Sequence, residues 1–150
     1  HSTLIPLSHD HHEALLIALR LKKGGPASEN DRLWPVDLKL QVRSLLLFVE
    51  QELLPHFKLE EEILFPTGFT IEELQPLVKN LLDQHQVMRD SIGRIKEISD
   101  ENLLKKALID FGILLETHVR NEDRNLFPKL EEAELQGKIT LPHLKYKSWR

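Results

Sequence analysis

Three histidines in the long central part of the chain have a spacing that suits metal coordination. The chain has eight histidines, and the three central ones are His56, His85 and His118. Two of them stand four residues before a glutamate, His56 before Glu60 and His118 before Glu122. On an α-helix this spacing places both side chains on one face, with Cβ atoms roughly 6 Å apart. Imidazole and carboxylate of each pair can therefore reach one metal centre.

The segments around the two pairs resemble copies of one motif. HFKLEEEILFP at residues 56–66 and HVRNEDRNLFP at residues 118–128 share His, Glu, Leu, Phe and Pro at equal offsets. A lone histidine lies upstream of each pair, His11 before the first and His85 before the second. We interpret this pattern as an internal repeat with two equivalent half-sites, each of which supplies one lone histidine and one His-x-x-x-Glu pair.

Three neighbouring histidines compete for the lone position of the first half-site. His11 lies on a helical stripe that is otherwise apolar, whereas the stripe of His12 includes Ser8 and Lys22. An apolar stripe is the one that faces a protein core. We therefore predict that His11 is the ligand, and His12 and His9 remain the alternatives.

The predicted ligands carry charged and polar groups that are costly to bury unless every one of them is paired. They are His11, His56, Glu60, His85, His118 and Glu122. A buried carboxylate without a partner costs on the order of a few kcal/mol. Two divalent cations roughly 3.5 to 4 Å apart, bridged by the glutamates and capped by the histidines, satisfy every group. Nitrogen and oxygen ligands of this kind suit iron or manganese, with zinc and copper as further occupants.

The composition excludes several other kinds of site. The chain has no cysteine, which excludes disulfides, thiolate zinc sites, cysteine-ligated iron–sulfur clusters and cysteine nucleophiles. Its net charge of −4 argues against a nucleic-acid partner, because phosphate contacts need a clustered excess of Lys and Arg. We find no apolar run that spans a bilayer and no secretory signal, so we expect a cytoplasmic protein without a membrane partner.

The elements that position these residues are predicted to be helices. The long segments have helical periodicity and none shows the sustained alternation of a strand, so the fold class is all-α. A chain of 150 residues is the usual size of one domain. We predict a single domain over residues 1–150, with a bundle at about 8–128 and a C-terminal extension at 129–150. Short connections between four helices predict an up-down-up-down antiparallel four-helix bundle.

Proline, glycine and capping residues predict where the helices begin and end. The predicted helices span about residues 8–24, 36–65, 70–98 and 100–127, with a short further helix at 128–136. Pro66 is predicted to end the second helix, and Thr70 with Glu73 forms a capping box for the third. A four-three spacing places the ligands on the core stripes, and the same spacing adds Ile63 and Asn125 to them.

These motifs resemble those of the hemerythrin-like, or HHE cation-binding, domains. The resemblance covers about residues 8–128, through Asp10-His11-His12-Glu13, His56-x-x-x-Glu60, Asp83-Gln84-His85 and His118-x-x-x-Glu122, with Leu-Phe-Pro closing both pairs. It implies a non-haem di-iron centre, with two iron ions inside a four-helix bundle. It also implies one of several roles: oxygen carriage, sensing of oxygen, nitric oxide or iron, or repair of iron centres.

One position departs from the pattern of the oxygen-carrying members. Those members have a fifth histidine four residues after the one that matches His85, and here that position is Arg89. The departure implies a more open centre, with exchangeable positions on the His85 side, and argues against reversible oxygen carriage. We expect Arg89 to extend to solvent and Glu61 to be a surface charge. Candidate hydrogen-bond acceptors for the imidazoles are Asp10, Glu13, Asp83 and Gln84.

Three classes of function are consistent with these residues. The first is a binding module whose centre binds a diatomic ligand, oxygen or nitric oxide, or responds to iron or redox state. The second is a di-iron enzyme, or a factor that repairs iron centres or delivers iron. The third is a structural bundle with a vestigial site. Turnover of nitric oxide, peroxide or oxygen distinguishes the second class, and the absence of stoichiometric metal distinguishes the third.

Overall fold

The computed structural model describes residues 4–142, in which all regular structure is helical. The helices are α1 at Ile5–Lys23, α2 over residues 38–69, α3 at Gln75–Ile95 and α4 over residues 101–135. α4 packs against both α1 and α3. The predicted all-α four-helix bundle is confirmed. No helix within residues 4–142 is long and apolar enough to cross a membrane.

The ends of the helices are set by local capping. Gly24 ends α1 in a left-handed conformation at φ 74°, which a residue without Cβ adopts at little cost. The side chains of Asp37 and Asp100 accept from the backbone N–H groups of Leu40 and Leu103 and so begin α2 and α4. α1 begins at Ile5 and not at Ser8 as predicted, because a proline is tolerated in a first helical turn.

The predicted capping box of α3 is wrong. The Thr70 hydroxyl donates to the carbonyl of Thr67 and caps no N–H group, and a short 3-10 turn at Glu72–Leu74 follows. α3 itself begins at Gln75, with Pro76 in its first turn. Proline fits there because the first N–H groups of a helix have no partner within the helix.

Three widened turns of π-helix lie within the two long helices. They are Val49–Leu53 and Glu60–Leu64 in α2, and Glu122–Leu126 in α4. A proline follows two residues after the end of each turn, at Pro55, Pro66 and Pro128. A proline ring clashes with the carbonyl four residues earlier and lacks an N–H group for it. The wider turn, in which Phe65 N–H reaches back to the Glu60 carbonyl, accommodates that ring.

The π turns correct two sequence predictions. Because the helix widens at each proline, α2 continues to Phe69 and α4 to Leu135, and neither ends at Pro66 or restarts at Pro128. Each widened turn also adds a residue and shifts the core stripe by one position. The buried side chains are accordingly those of Leu64 and Leu126, whereas Ile63 is half-buried and Asn125 is exposed.

A polar layer divides the core into two apolar clusters. One cluster includes Ala14, Leu21, Leu45, Phe57, Met88 and Leu115, and the other includes Leu7, Leu64, Phe65, Leu81 and Leu126. On α3, His85 lies between Leu81 of one cluster and Met88 of the other. The same change from apolar to polar and back occurs at one level in all four helices, so the bundle shields this layer from water on both sides.

More of the C-terminal part packs against the bundle than the sequence predicts. α4 runs past residue 128, the predicted end of the bundle, and buried Leu141 packs on the cluster of Leu7 and Leu126. Residues 143–150, the remainder of the predicted extension, lie outside the described part of the chain. The single-domain assignment and the cytoplasmic location stay predictions.

Candidate metal centre

The structure brings all six predicted ligands together in the polar layer. His11, His56, Glu60, His85, His118 and Glu122 have exposed fractions between 0 and 4%. His9 and His12, the alternatives to His11, are exposed on the outside of α1. Of the three competing histidines, His11 is therefore the one whose ring reaches the layer.

Each glutamate lies between a histidine of the first half-site and a histidine of the second. Glu60 Oε2 is 3.4 Å from His56 Nε2, and its other oxygen, Oε1, is 3.2 Å from His85 Nε2. Glu122 Oε1 is 3.0 Å from His11 Nε2 and 3.3 Å from His118 Nε2. A carboxylate placed between two groups of nitrogen ligands is suited to bridging two metal ions.

The ligand atoms form two overlapping groups, each able to hold one ion. His11 and His56 form the first group with both glutamates, and His85 and His118 form the second with the same glutamates. Within each group the ligand atoms lie within 4.8 Å of one another. We call these groups the α1–α2 half-site and the α3–α4 half-site. They match the two halves of the sequence repeat.

The outer nitrogen of each of the four histidine rings in the polar layer lies within hydrogen-bond distance of a side-chain oxygen. The contacts are His11 Nδ1 to Asp123 at 2.8 Å, His56 Nδ1 to Asp10 at 3.1 Å, His85 Nδ1 to Glu61 at 2.6 Å and His118 Nδ1 to Gln84 at 2.7 Å. In a neutral imidazole, a hydrogen bond of this kind leaves Nε2 unprotonated and facing inward. All four rings are therefore oriented as metal ligands.

These four acceptors follow the symmetry of the repeat. Asp10 and Gln84 stand one residue before the lone histidines, and Glu61 and Asp123 stand one residue after the two glutamates. Asp10 and Gln84 are among the acceptors expected from the sequence, whereas Asp123 is not, and the expectation that Glu61 is a surface charge is wrong. The signal for both was the acidic residue that follows Glu60 and Glu122 in the two copies of the motif.

Arg89 does not extend freely to solvent as expected. Its guanidinium donates to both oxygens of Glu61, at 2.8 and 3.0 Å, and lies 5.5 Å from the centre of the Phe57 ring. Glu61 in turn accepts from His85, so Arg89 holds in place the residue that orients this predicted ligand. Partial burial opposes the charge on Glu61, but Arg89 and His85 outweigh it and lower the pKa of that carboxyl group.

The packing beside His85 is closer than predicted. The Phe57 ring stacks on His85 with 3.7 Å between ring centres, and Phe65 lies 5.3 Å away, so two aromatic rings cover the His85 side. A cavity of about 10 Å³ instead borders His11 and His56, among other residues. The expectation of open positions beside His85 is corrected by this packing.

The surroundings of the two central glutamates shift their pKa values in opposite directions. Burial, together with the neighbouring Glu122, raises the pKa of Glu60 well above its usual value. Burial also opposes the charge on Glu122, but His118 and His11 outweigh it and hold the pKa of Glu122 well below the usual range. The neutral form is thus favoured at one buried carboxyl group and the ionised form at the other.

The pKa values of two histidines, His85 and His11, are likewise shifted in opposite directions. Burial lowers the pKa of His85 to about 4, and the facing His118 adds to the effect. Burial also opposes a charge on His11, but Asp123 and Glu122 outweigh it and raise its pKa to about 9. In addition, no well-aligned hydrogen bond from a described residue reaches the buried oxygens of Glu60 and Glu122, although imidazole nitrogens lie 3.0 to 3.4 Å from oxygens of both residues. Buried carboxyl oxygens that face imidazole nitrogens are groups that a pair of cations would satisfy.

Comparison with known proteins agrees with this geometry. The family profile described as the hemerythrin HHE cation binding domain matches residues 3–130, and a further match covers residues 76–145. No curated protein and no solved structure matches the chain significantly. The first match covers all six central residues and most of the chain, so the protein belongs to the hemerythrin HHE cation-binding family.

Proposed function

We propose that this protein is a non-haem di-iron protein that binds or senses a diatomic ligand, oxygen or nitric oxide, or responds to iron or redox state. The proposed ligands of its two iron ions are His11, His56, Glu60, His85, His118 and Glu122. The observation that carries the proposal is that each buried glutamate faces one histidine from either half-site. Manganese and zinc are the alternative metals, because they accept the same nitrogen and oxygen ligands.

The residues of the chain prepare the site for such ions. The hydrogen bonds at Nδ1 hold each imidazole with its unprotonated nitrogen inward, as in the pair of His56 with Asp10. The apolar clusters above and below exclude bulk water, which strengthens attraction between the glutamates and a cation. Bound iron would supply electron transfer and a binding position for a small molecule.

The size of the neighbouring cavity supports a very small ligand. Its volume is about 10 Å³, close to the roughly 10–15 Å³ that one water molecule needs by the same measure. Phe48, Leu53 and Phe57 line its apolar part, and His11 and Glu122 line its polar part. A space of this size holds at most a water-sized group, which argues against any ligand larger than a diatomic molecule.

The position of Arg89 supports an alternative function, a di-iron enzyme or a factor that repairs iron centres or delivers iron. The arginine pairs with Glu61 and supplies no ligand, so six protein groups serve two ions. Iron takes five or six ligands, and the remaining positions are open to exchange. A centre of this kind reacts irreversibly with oxygen more readily than it carries oxygen.

Rapid mixing of the iron(II)-loaded protein with ligands tests these functions. We expect nitric oxide to form an adduct with a changed absorption spectrum, and oxygen to oxidise the centre without recovery after deoxygenation. Metal-free protein is the control for both reactions. Return of the original ferrous spectrum after deoxygenation would show reversible oxygen carriage and contradict the expectation that oxygen oxidises the centre irreversibly. Catalytic turnover of nitric oxide, peroxide or oxygen would favour the enzyme.

A further inference from the structure

The symmetry of the four outer acceptors is broken in the α3–α4 half-site. The repeat pairs Asp10 with Gln84, because each precedes a lone histidine and each accepts from the histidine of the following motif. It likewise pairs Asp123 with Glu61. An aspartate in the α1–α2 half-site therefore corresponds to a neutral amide in the α3–α4 half-site.

A second difference adds to the first. Glu61, the one carboxylate acceptor of the α3–α4 half-site, is held by two hydrogen bonds from Arg89. The guanidinium charge offsets that of the carboxylate. Two carboxylates thus support the histidines of the α1–α2 half-site, whereas an amide and an arginine-paired carboxylate support those of the α3–α4 half-site.

The acceptor of a ligand histidine changes how strongly the ring binds a metal. A carboxylate draws the Nδ1 proton toward itself and makes Nε2 more basic, and loss of such a partner typically costs 10–100-fold in metal affinity. An amide accepts the same proton without a negative charge. The bond of Glu61 to His85 is the shortest of the four at 2.6 Å, but the same carboxylate oxygen also accepts from Arg89, which weakens its pull on the proton.

We propose that the two metal positions differ in affinity, so that the α1–α2 half-site fills first and the α3–α4 half-site holds an exchangeable ion, with Gln84 as the residue that sets the difference. This inference rests on the proposed di-metal function and deepens it. A firmly held first ion keeps both glutamates in place. Occupancy of the second position then varies with the concentration of free iron, which is the behaviour of an iron-responsive site.

Titration of the metal-free protein with cobalt(II), followed by calorimetry and visible absorption, tests the proposal. We expect two binding steps that differ by at least tenfold in dissociation constant. His85→Ala should keep the tighter step and His11→Ala should lose it. Gln84→Glu should tighten the weaker step about tenfold and bring the two together. Gln86→Glu is the matched control, because it makes the same substitution at an exposed position of the same helix.

The outcomes separate this proposal from the proposed function. Binding of two ions with equal affinity would overturn the order of filling. A tighter step that is lost in His85→Ala and kept in His11→Ala would do the same. Both results would still agree with a di-metal centre. An equal effect of Gln84→Glu and Gln86→Glu would overturn the role of Gln84. A protein that binds no cobalt would overturn the di-metal function itself, together with this inference.

Discussion

His85 Nδ1 lies 2.6 Å from an oxygen of Glu61, the residue directly after the central Glu60. Two adjacent glutamates thus serve one site in different ways. Glu60 is buried and faces the inner nitrogens of two histidines, whereas Glu61 is partly exposed and holds one histidine from outside.

The contact predicts that Glu61→Ala weakens metal binding although Glu61 is not a proposed ligand. We expect the affinity to fall about 10–100-fold, because His85 loses the acceptor that orients its ring. Glu62→Ala, at the exposed neighbouring position, is the control and should bind as the unchanged protein does. Competition with a chromophoric chelator measures both affinities. Equal affinities of the two variants would contradict the role of Glu61.

The two central glutamates should respond differently to amide substitution in metal-free protein. The raised pKa of Glu60 favours its neutral form, so the neutral amide of Glu60→Gln is a close replacement and should leave the melting temperature nearly unchanged. Glu122 is ionised beside His118 and His11, and Glu122→Gln should cost about 1–3 kcal/mol. Both variants should lose most of their metal. Thermal unfolding with chelator present measures the difference, and the reverse order of stability would contradict the assignment.

The close contact of α1 and α4 at Gly112 predicts that a larger residue there disturbs the packing of the two helices. A Cβ atom there would lie 2.9 Å from the carbonyl oxygen of Ala18, a backbone atom that cannot turn aside. Gly112→Ala should lower the free energy of unfolding by about 1–3 kcal/mol. It should also weaken metal binding, because this contact holds His11 beside Glu122.

A second glycine provides the control for this variant. Gly93 lies on α3, where an added Cβ atom would meet nothing within 4 Å, so Gly93→Ala should raise the free energy of unfolding by about 0.5–1 kcal/mol. Urea denaturation measures both changes. A Gly112→Ala variant as stable as Gly93→Ala would show that the two helices are less closely packed than described.

The ion pair of Arg20 with Asp31 predicts a pH dependence outside the metal centre. Two hydrogen bonds of 2.8 and 2.9 Å from the guanidinium, together with backbone donors, hold the pKa of Asp31 well below its usual value of about 3.9. A lowered pKa in the folded state gives stability that is present above the unfolded value and lost as the pH falls below it. The pair should therefore stabilise the loop after α1 at neutral pH and not in acid.

Melting temperatures of metal-free Asp31→Asn across pH test this dependence. The variant should melt below the unchanged protein at pH 6, and the gap should narrow as the pH falls through about 4. Asp110→Asn, which breaks an exposed pair with Lys106, should change the melting temperature little at either pH. A gap for Asp31→Asn that is constant with pH would contradict the lowered pKa.

Much of the fold and the central cluster was predictable because it depends on spacing. Helical periodicity indicated the four helices, and the four-residue spacing of His56 with Glu60 placed both on one face. The choice of His11 over His12 followed from the apolar stripe beside it, and His12 is exposed. That these residues bind metal is the proposal that the experiments test.

Other features were not predictable because they depend on contacts between helices. Proline is typical of a helix end, and whether Pro66 ends the helix or widens it depends on packing that sequence spacing does not contain. The one-residue shift that buries Leu126 and exposes Asn125 follows from that choice. Arg89 and Glu61 lie on different helices, so their pairing is visible only once α2 and α3 are packed together.

The metal content of the protein tests the central claim most directly. The purified chain, made metal-free and then loaded with iron(II) without oxygen, is freed of unbound metal, and its iron and protein are measured together. Two half-sites that share two buried glutamates predict close to two iron ions per chain. A reproducible value near zero, or a value of one that does not rise when bound iron is measured at equilibrium with excess free iron, would contradict a di-iron centre.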